Sequence, residues 1–494
     1  MIEAAIIEKV RAGLKSPRKM LIGDKWVEAA DGSRLETRNP ADGEVLTTFP
    51  NGGAEDIDRA VKVARDAFER GAWRKMTPAA RARLIYRLGD LIDANADELA
   101  VLETLDNGKP IGVSRNLDVP FAAERMRYNS GWATKLTGES VPTSLPFEAV
   151  AYTVYEPVGV VGHIIAWNAP LASAVAKLAP SLAAGCTMVL KPAEDTPLTA
   201  LRLGELIEQA GFPAGVVNIV TGTGEVAGAA LAAHPDVDKI SFTGSTEVGK
   251  SLVRAAAGNL KRLTLELGGK SPVIVLPDAD LDKTIPAIAN GIFFCTGQVC
   301  TAGSRLFAHA SVFDDVIAGV ADIARNMKIG PGIDPSTTLG PLVNAKQLER
   351  VKGYIQSGQR DGATLAVGGN ALDRDGYFVE ATILTDTRPD MAVRRDEIFG
   401  PVLCAQSFSD AEIDALATEA NNTTYGLAAN IYTQNLSAAY KLASRIRAGT
   451  VKINGGGLDQ GLPGGGFKQS GWGREYGRDG VDIYTEKKSV IATL

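Results

Sequence analysis

Cysteine is scarce in this chain of 494 residues, and histidine is scarcer still. The four cysteines are too few and too widely spaced for a disulfide framework; they are Cys186, Cys295, Cys300 and Cys404. Such cysteine usage is typical of a reducing compartment, so we expect a cytoplasmic protein. The three histidines lie far apart in the chain, outside any paired ligand spacing, and we expect no metal site.

Net positive charge and long apolar runs are also missing. Lysine plus arginine number 52 against 58 aspartate plus glutamate, a formal charge of -6, which gives no positive field to attract nucleic acid or an anionic membrane. No apolar run approaches the roughly 18 residues of a membrane span. Charged residues interrupt positions 1–14, so no secretory signal is expected there. The expected partners are therefore small molecules and further copies of the chain.

Periodicity predicts helices in the first third of the chain and a parallel sheet after it. Apolar residues recur at helical spacing from Ile57, and a second helix is predicted to begin after Thr77 as its N-cap residue. Short β-branched runs at 158–166, 187–190, 216–220 and 239–242 alternate with helical stretches, which predicts parallel strands joined by crossover helices. Thr196 is expected to cap one of these helices and Gly211 to end it.

A second series of strands is predicted to begin at 272–276, beyond a boundary near 266–271. Two further runs stand apart from both series. Residues 147–155 alternate between apolar and polar side chains, and 489–494 form another short strand-like run. Outlying strands of this kind have free edges that pair readily with another subunit, which predicts an oligomer.

Polar residues that follow the predicted parallel strands are candidates for a ligand site, because ligands bind at the carboxyl ends of such strands. Trp167 and Asn168 follow one run, and Lys191 and Glu194 follow the next. After the last run, Ser245 can cap a helix whose free N–H groups suit a pyrophosphate.

The glycine-rich stretch 222–228 is interpreted as an ordinary turn. Its glycines, at 222, 224 and 228, miss the dinucleotide-binding fingerprint by one residue because the last gap is too long.

A cysteine and a carboxylate supply the candidate chemistry. Cys300 lies in a Gly- and Thr-rich turn, where a thiol is more accessible than in the apolar runs around Cys186 and Cys404. Glu266 is a single carboxylate in an apolar strand, where it is destabilising unless it is paired or functional. A buried ion pair and a catalytic base are both consistent with that position.

Seven motifs, in this order and spacing, carry a resemblance to a known family. They are Ala-Trp-Asn-Ala-Pro at 166–170, Lys-Pro-Ala-Glu at 191–194, Phe-Thr-Gly-Ser-Thr-Glu-Val-Gly at 242–249, Leu-Glu-Leu-Gly-Gly-Lys at 265–270, Gly-Gln-Val-Cys at 297–300, Glu-Ile-Phe-Gly-Pro at 397–401 and Gly-Trp-Gly-Arg-Glu at 471–475. With these motifs the chain resembles the aldehyde dehydrogenase superfamily along nearly its whole length.

The resemblance implies an α/β fold with two parallel-sheet, Rossmann-like domains and a small β oligomerisation arm. Residues 1–134 and 158–267 are then expected to form the NAD-binding domain, and 268–467 the catalytic domain. Residues 135–157 and 481–494 are expected to form the arm of a homotetramer or dimer.

The resemblance also implies residue roles. Cys300 is the implied nucleophile, Glu266 the general base and Asn168 the oxyanion donor, with NAD as cofactor. Lys177 and Glu475 match positions associated with a proton relay, although both can equally be solvated or salt-bridged charges. The residues implied to bind NAD are Ile165, Ala166, Trp167, Lys191, Glu194, Gly224, Phe242, Gly244, Ser245, Leu267, Gly268, Glu397 and Phe399.

The implied reaction oxidises an aldehyde to the free carboxylic acid. The Cys300 thiolate adds to the aldehyde, a hydride passes to NAD, and water activated by Glu266 hydrolyses the remaining thioester. A carboxylate at Glu194 accepts hydrogen bonds from ribose hydroxyls but repels a 2′-phosphate, which favours NAD over NADP.

Two departures from the family pattern bear on redox behaviour and substrate. Position 295, commonly an asparagine, is Cys295, so a reversible oxidative linkage to Cys300 is a hypothesis. Small residues stand where relatives have bulky ones, and glycines dominate 455–466; the small residues are Ala169, Ala172, Ser173 and Ala176. We predict a roomy, mainly uncharged pocket for a bulky apolar aldehyde, aromatic or terpenoid.

Three alternatives remain at this point. A coenzyme A-acylating dehydrogenase would release the acyl group to a thiol, whereas retention of Glu266 favours water. A thiol esterase using Glu266, Lys270 and Cys300 would leave the ribose-type residues unexplained. A non-enzymatic relative is disfavoured because Asn168, Glu266 and Cys300 are all present.

Overall fold

The computed structural model describes residues 2–457 and 459–494. The strands, in chain order, are β1 (Met20–Ile22), β2 (Lys25–Val27), β3 (Arg34–Arg38), β4 (Val45–Pro50), β5 (Ala149–Pro157), β6 (Val160–Ile164), β7 (Thr187–Lys191), β8 (Val217–Ile219), β9 (Lys239–Thr243), β10 (Arg262–Glu266), β11 (Pro272–Val275), β12 (Arg305–His309), β13 (Thr364–Val367), β14 (Thr382–Thr385), β15 (Val402–Phe408), β16 (Ala428–Tyr432), β17 (Thr450–Ile453), β18 (Gly471–Trp472) and β19 (Thr485–Thr493).

The α-helices are α1 (Ala4–Leu14), α2 (Ala54–Glu69), α3 (Ala72–Lys75), α4 (Pro78–Ala94), α5 (Ala96–Asn107), α6 (Ile111–Val113), α7 (Val119–Ser130), α8 (Pro170–Ala184), α9 (Leu198–Ala210), α10 (Ala229–Ala233), α11 (Thr246–Ala256), α12 (Leu281–Phe293), α13 (Ala310–Asn326), α14 (Ala345–Arg360), α15 (Ala392–Arg395), α16 (Ile413–Ala420), α17 (Leu436–Arg445) and α18 (Asp479–Asp482). Short π-helical turns occupy Ser114–Asp118 and Gly224–Gly228.

The first large sheet has the strand order β18-β10-β9-β6-β7-β8-β1-β2. Its central strands, from β10 to β8, are parallel, and the strands at both ends are antiparallel. Every residue of β6, β7 and β8 is buried, as expected for parallel strands covered by helices on both faces. The predicted run of parallel strands in this part of the chain is confirmed.

The second large sheet has the order β13-β14-β15-β12-β11-β16-β17. All of its pairs are parallel except β13 with β14. The core strand β11 is buried throughout because helices cover both faces of the sheet. Strand β10 thus ends in one sheet and β11 begins in the other, with only residues 267–271 between them.

The two outlying runs pair with each other. Strands β5 and β19 form a two-stranded antiparallel sheet in which Tyr152 lies opposite Val490. Several apolar side chains on and near this sheet are exposed, with Ile491 at 61% and Leu494 at 79%. Residues 139–141 bond to the other edge of β5, where the N–H of Val141 donates to the carbonyl of Ala151 and the N–H of Thr153 donates to the carbonyl of Glu139. The outer edge of β19 has no strand beside it among the described residues.

The predicted helix ends are correct at Thr77 and Gly211 but not at Thr196. Thr77 Oγ1 accepts the N–H of Ala80 at the start of α4, and Gly211 ends α9 in the left-handed conformation. The prediction that Thr196 caps α9 is wrong, because its hydroxyl donates to the carbonyl of Trp167 instead. The first N–H of α9 is bonded by a residue from another helix, as described below.

Among the described residues, no helix is long and apolar enough to cross a membrane. Within the same residues, no group of three or more His, Cys, Asp or Glu side chains is arranged to hold a metal ion.

Candidate active site

A cleft of about 460 Å³ opens where strands of the two large sheets end. It is lined by Ala166, Trp167, Asn168, Asp195, Thr243, Gly244, Ser245, Glu266, Leu267, Gly268, Cys300, Asn344, Lys346, Gln347, Arg350, Glu397 and Phe399. The three residues implied as catalytic, Cys300, Glu266 and Asn168, therefore line one cavity together with residues implied to bind the cofactor.

Cys300 follows a turn that the sequence does not reveal. Three consecutive residues, Cys295, Thr296 and Gly297, have positive φ angles of 48°, 58° and 69°. A side chain at Gly297 would lie 2.1 Å from the carbonyl oxygen of Gly400, so only glycine fits at this position. The turn ends α12 sharply and directs the following residues toward the cleft, where Cys300 remains partly exposed.

The environment of Cys300 favours the neutral thiol. Enclosure by the protein, reinforced by the carboxylates of Glu397 and Glu266, raises the pKa of the Cys300 thiol to about 12. The backbone N–H groups of Cys300 and Thr301 act in the opposite direction. Activation of this thiol therefore requires a base or a change of electrostatic environment.

Glu266 is the last residue of β10, next to Thr243 of β9 and Gly471 of β18. Its Oε1 atom is buried and has no hydrogen-bond partner among the described residues. Burial, reinforced by the nearby carboxylate of Glu475, raises the pKa of Glu266 well above its usual range. A buried carboxyl group of raised pKa with a free oxygen is suited to accepting a proton from a molecule in the cleft.

Lys177 and Glu475 form a buried ion pair behind Glu266. The Nζ atom of Lys177 lies 2.6 Å from Oε1 of Glu475 and donates to the hydroxyl of Ser241 at 3.1 Å. Both charges of the pair act on Glu266, Glu475 raising its pKa and Lys177 lowering it. The geometry fits both a structural ion pair and a proton relay.

Asn168 lies between the end of β6 and the first turn of α8. Its Nδ2 atom donates to the carbonyl of Gln298 at 2.9 Å, two residues before Cys300. A primary amide has two N–H groups, and one of them remains available for a ligand. This bond joins the α8 side of the cleft to the loop that carries the thiol.

The start of α11 supplies hydrogen-bond donors on the other side of the cleft. Ser245 is its N-cap residue and accepts the N–H of Val248 at 3.3 Å, which confirms the predicted cap. A side chain at Gly244 would lie 2.3 Å from the ring of Phe242, so glycine allows the backbone to turn tightly there. The N–H groups that remain in the first turn of α11 and the helix dipole favour a negatively charged group.

Lys191 and Glu194 follow β7, and contacts within the protein fix the positions of both side chains. The Nζ atom of Lys191 lies 3.0 Å from Oε2 of Glu194, and Oε1 of Glu194 accepts the N–H of Gly224 at 3.2 Å. Lys191 is buried whereas the Glu194 side chain is 42% exposed. The glycine-rich stretch interpreted as an ordinary turn is thus a π-helical turn that holds the Glu194 carboxylate in place.

Glu397 and Phe399 approach the cleft from the second sheet. Glu397 Oε1 accepts the N–H of Gly269 at 2.9 Å, and a side chain at Gly268 would lie 2.4 Å from its Oε2. The Phe399 ring meets Trp167 edge to face, with ring centroids 5.2 Å apart. Two other predicted residues, Ile165 and Phe242, lie in the hydrophobic core beneath the cleft.

These residues fit a dinucleotide. Free helix N–H groups suit its pyrophosphate, the exposed Glu194 carboxylate suits ribose hydroxyls, and the partly exposed Cys300 lines the same cleft as Ser245. Lys191, Glu194 and Gly224 are not among the lining residues of that cleft, and a side chain at Gly224 would contact Oε1 of Glu194 at 3.8 Å.

Five polar residues of the cleft are not among those predicted from the sequence: Asp195, Asn344, Lys346, Gln347 and Arg350. Asn344 caps α14 and donates to Asp195 at 3.0 Å, so it connects the two sides of the cleft. Gln347 donates to the carbonyls of Ile398 and Phe399, and Arg350 donates to the carbonyl of Glu397. An Asn cap three residues before Gln347 was the one available sequence signal, and it indicates a helix, not a site.

Cys295 lies in a different environment from Cys300. It is buried, and the side chains that act on its thiol are those of Lys109, Asp118 and Glu103. Cys300 lines the cleft, whereas Cys295 is not among the lining residues. A linkage between the two thiols stays a prediction.

The expectations from sequence agree with the comparisons with known proteins. Residues 26–490 match the family model described as the aldehyde dehydrogenase family. The chain is 48% identical over 486 residues to the phenylacetaldehyde dehydrogenase of Pseudomonas fluorescens, covering 97% of this chain and 96% of that protein.

Solved structures agree in fold. An NAD+ complex of aldehyde dehydrogenase from Bacillus cereus matches with a TM-score of 0.96 at 48% identity, covering 98% of each chain. An indole-3-acetaldehyde dehydrogenase in complex with NAD+ matches with a TM-score of 0.96 at 42% identity, covering 99% of each chain. The α/β fold and the family resemblance inferred from the seven motifs are confirmed, and the chain belongs to the aldehyde dehydrogenase family.

Proposed function

We propose that this protein oxidises a bulky, apolar aldehyde, aromatic or terpenoid, to the free carboxylic acid with NAD as the electron acceptor. The observation that carries the proposal is the meeting of Cys300, Glu266 and Asn168 in one cleft, with the buried Glu266 Oε1 lacking a partner among the described residues. The three side chains supply a nucleophile, a base and an oxyanion donor.

The first step is addition of Cys300 to the aldehyde. The thiol loses its proton to water in the cleft, its Sγ atom forms a bond to the aldehyde carbon, and the carbonyl electron pair moves onto oxygen. The free N–H of the Asn168 amide and the backbone N–H of Cys300 donate to that oxyanion. The fixed bond from Asn168 to Gln298 holds the amide in place, so donation requires no reorganisation.

When bound, NAD would accept the hydride that leaves this thiohemiacetal, and a thioester on Cys300 would remain. The same cleft that contains the thiol is lined by Trp167, Phe399 and Glu397. The two rings meet edge to face, and the N–H of Gly269 holds the Glu397 carboxylate. Glu194 favours NAD over NADP because its carboxylate repels a 2′-phosphate.

Hydrolysis of the thioester needs a water molecule that has lost a proton. Glu266 accepts that proton, and the hydroxide adds to the acyl carbon as the bond to Sγ breaks. Glu475 and Lys177 stand behind Glu266 as a path that returns the proton toward Ser241. A coenzyme A-acylating enzyme has no need of this base, so its presence supports water as the acyl acceptor.

Small side chains support a bulky substrate. Ala172, Ser173 and Ala176 follow Asn168 in α8, and the glycines at 455–457 have open space where a side chain would project. The glycines at 464–466 instead lie tightly against other parts of the chain. Small residues at the first two places leave room for a large apolar group. The similarity to enzymes named for phenylacetaldehyde and indole-3-acetaldehyde supports an aromatic substrate.

We also propose the domain division expected from the sequence, and assembly of the chain as a homotetramer or dimer through the sheet of β5 and β19. The exposed apolar residues of that sheet and the outer edge of β19 support association with another copy.

A panel of aldehydes tests the proposal, with NADH absorbance as the readout and Cys300→Ala as the matched inactive variant. The expected result is a high kcat/KM for phenylacetaldehyde and larger aldehydes, with free acid as product. Preference for acetaldehyde or a charged semialdehyde contradicts the substrate class. Ester hydrolysis without NAD and no aldehyde oxidation contradicts the reaction class, and formation of an acyl-coenzyme A product contradicts the hydrolytic step.

A further inference from the structure

Two helices that lead away from the candidate active site begin without a cap of their own. Helix α8 starts after Ala169, and α9 starts after Pro197, and neither N-cap side chain accepts a hydrogen bond. The first N–H groups of a helix need acceptors, and both helix starts are buried. The acceptors must therefore come from elsewhere in the molecule.

Helix α5 supplies both acceptors. Glu103 Oε2 accepts the N–H of Leu171 at 3.2 Å, and Asp106 Oδ2 accepts the N–H of Leu198 at 2.8 Å. Both carboxylates are buried, Glu103 at 0% and Asp106 at 1% exposure. Carboxylates at helix N-termini are favourable because the helix dipole is positive there.

A third residue of α5 bonds to the chain on the other side of Asn168. Asn107 Nδ2 donates to the carbonyl of Trp167 at 2.8 Å. Asn107 is four residues after Glu103, so the two side chains lie on the same face of α5. One face of α5 therefore bonds to the backbone on both sides of Asn168. Asn107 bonds to Trp167 before it, and Glu103 bonds to Leu171 after it.

The charge on Glu103 is balanced by a buried lysine. Lys109 Nζ lies 3.1 Å from Oε1 of Glu103 and 2.7 Å from Oδ2 of Asp118. Glu103 therefore contacts Leu171 through Oε2 and Lys109 through Oε1, so both oxygens of the carboxylate have a partner. The charges of Lys109 and Glu103 also act on the thiol of Cys295, in the turn before Cys300.

We propose that Asn107 and Glu103 are positioning residues for the oxyanion donor Asn168, holding the backbone on its two sides so that its free N–H points at the developing oxyanion. The proposal rests on the role of Asn168 in the proposed function. Neither residue lines the cleft, so each acts through Asn168 and not on the substrate. The sequence shows Glu103 and Asn107 only as polar residues in a helix.

A double-mutant cycle tests the proposal, using kcat/KM for phenylacetaldehyde at saturating NAD. Asn107→Ala is expected to lower kcat/KM about 5- to 20-fold in the wild-type background, the effect of about one or two hydrogen bonds. In the Asn168→Ala background the same change is expected to cost less than about twofold, because residues that act through one group are not additive. A general structural role gives equal losses in both backgrounds.

Asn95→Ala, at the N-cap position of α5, is the matched control. Asn95 precedes α5 and also donates to a backbone carbonyl, that of Leu91 at 2.7 Å, at the opposite end of the helix from Asn107. It is expected to leave kcat/KM within about twofold of wild type. Thermal melting verifies that each variant is folded, and Asn107→Ser replaces Asn107→Ala if the latter is not.

Glu103 is tested by comparing two replacements of similar size. Glu103→Gln keeps an oxygen that accepts the Leu171 N–H, whereas Glu103→Leu has none. The expected kcat/KM is therefore about threefold or more higher for Glu103→Gln than for Glu103→Leu.

Equal losses from Asn107→Ala in both backgrounds, or no loss in a folded Asn107→Ala protein, overturn the positioning role. Equal activity of the two Glu103 variants overturns the part assigned to Glu103. If Asn168→Ala alone retains the wild-type kcat/KM, the oxyanion role in the proposed function fails, and that outcome is distinct from additive losses.

Discussion

Cys295 and Cys300 belong to one short stretch of chain, and the structure gives them opposite surroundings. Both thiols have a pKa raised to about 12, chiefly by burial. Cys300, however, lines the cleft beside the carboxylates of Glu266 and Glu397, whereas Cys295 is enclosed next to the ion pairs of Lys109. A raised pKa therefore does not identify a nucleophile. Access to a cleft and a neighbouring proton acceptor distinguish the nucleophilic cysteine from the buried one.

The largest expected effect separates the two thiols directly. Cys300→Ala is expected to lower aldehyde oxidation at least about 10³-fold, because no other cysteine lines the described cleft. Cys295→Ala is expected to stay within about threefold of wild type. NADH formation by both purified variants checks this, and a loss of equal size in Cys295→Ala contradicts the distinction.

A second comparison concerns the carboxylates beside each thiol. Glu266→Gln removes the base next to Cys300 and is expected to lower kcat about 10²- to 10⁴-fold. Glu103→Gln alters the carboxylate near Cys295 and is expected to lower kcat only a few-fold, since it keeps an acceptor for Leu171. Steady-state kinetics with phenylacetaldehyde measure both, and similar losses for the two variants would place the two carboxylates in equivalent roles.

Loss of the oxyanion donor is expected to have a slightly smaller effect. Asn168→Ala removes one N–H from the developing oxyanion and should lower kcat about 10²- to 10³-fold. The KM for the aldehyde is expected to change little, because the bond forms only as the reaction proceeds. A rise in KM at constant kcat would instead mark Asn168 as a ground-state binding residue.

Alkylation by iodoacetamide provides a test that needs no turnover. The thiolate is the reactive form, and the raised pKa of Cys300 places its titration near pH 12. Without cofactor, the alkylation rate of Cys300 is therefore expected to rise about tenfold per pH unit between pH 7 and 9. Peptide mass spectrometry follows it, with Cys295 expected to react more slowly. A plateau below pH 9 contradicts the raised pKa.

The smallest expected effect concerns the oxidative linkage between the two thiols. Peroxide treatment followed by mass spectrometry of non-reduced peptides detects a Cys295–Cys300 disulfide if it forms. Because Cys295 is buried, we expect the disulfide-linked peptide to be only a small fraction of the oxidised product. Complete absence of the linked peptide removes the hypothesis.

Local rules predicted those parts of the molecule that depend on neighbouring residues. The cap at Ser245 follows from its place between a β-branched run and a helix, and the buried parallel strands follow from their apolar runs. The seven motifs carried the family and with it Cys300, Glu266 and Asn168.

Features that depend on contacts between distant segments could not be predicted from the sequence. Thr196 was assigned as a cap because sequence shows only its neighbours, whereas the acceptor is Asp106 from α5. Gln347 and Arg350 were missed because their function in the cleft depends on contact with the loop of Glu397, which no local pattern encodes. The left-handed turn at Cys295 was missed because non-glycine residues rarely adopt that conformation.

Mass spectrometry of the Glu266→Gln protein, after incubation with phenylacetaldehyde and NAD, determines whether Cys300 carries the acyl group. We expect about one equivalent of NADH and a phenylacetyl adduct on the peptide that contains Cys300, because hydrolysis of the thioester is slowed. One equivalent of NADH with the adduct on another residue, or with no adduct on any peptide, would contradict it.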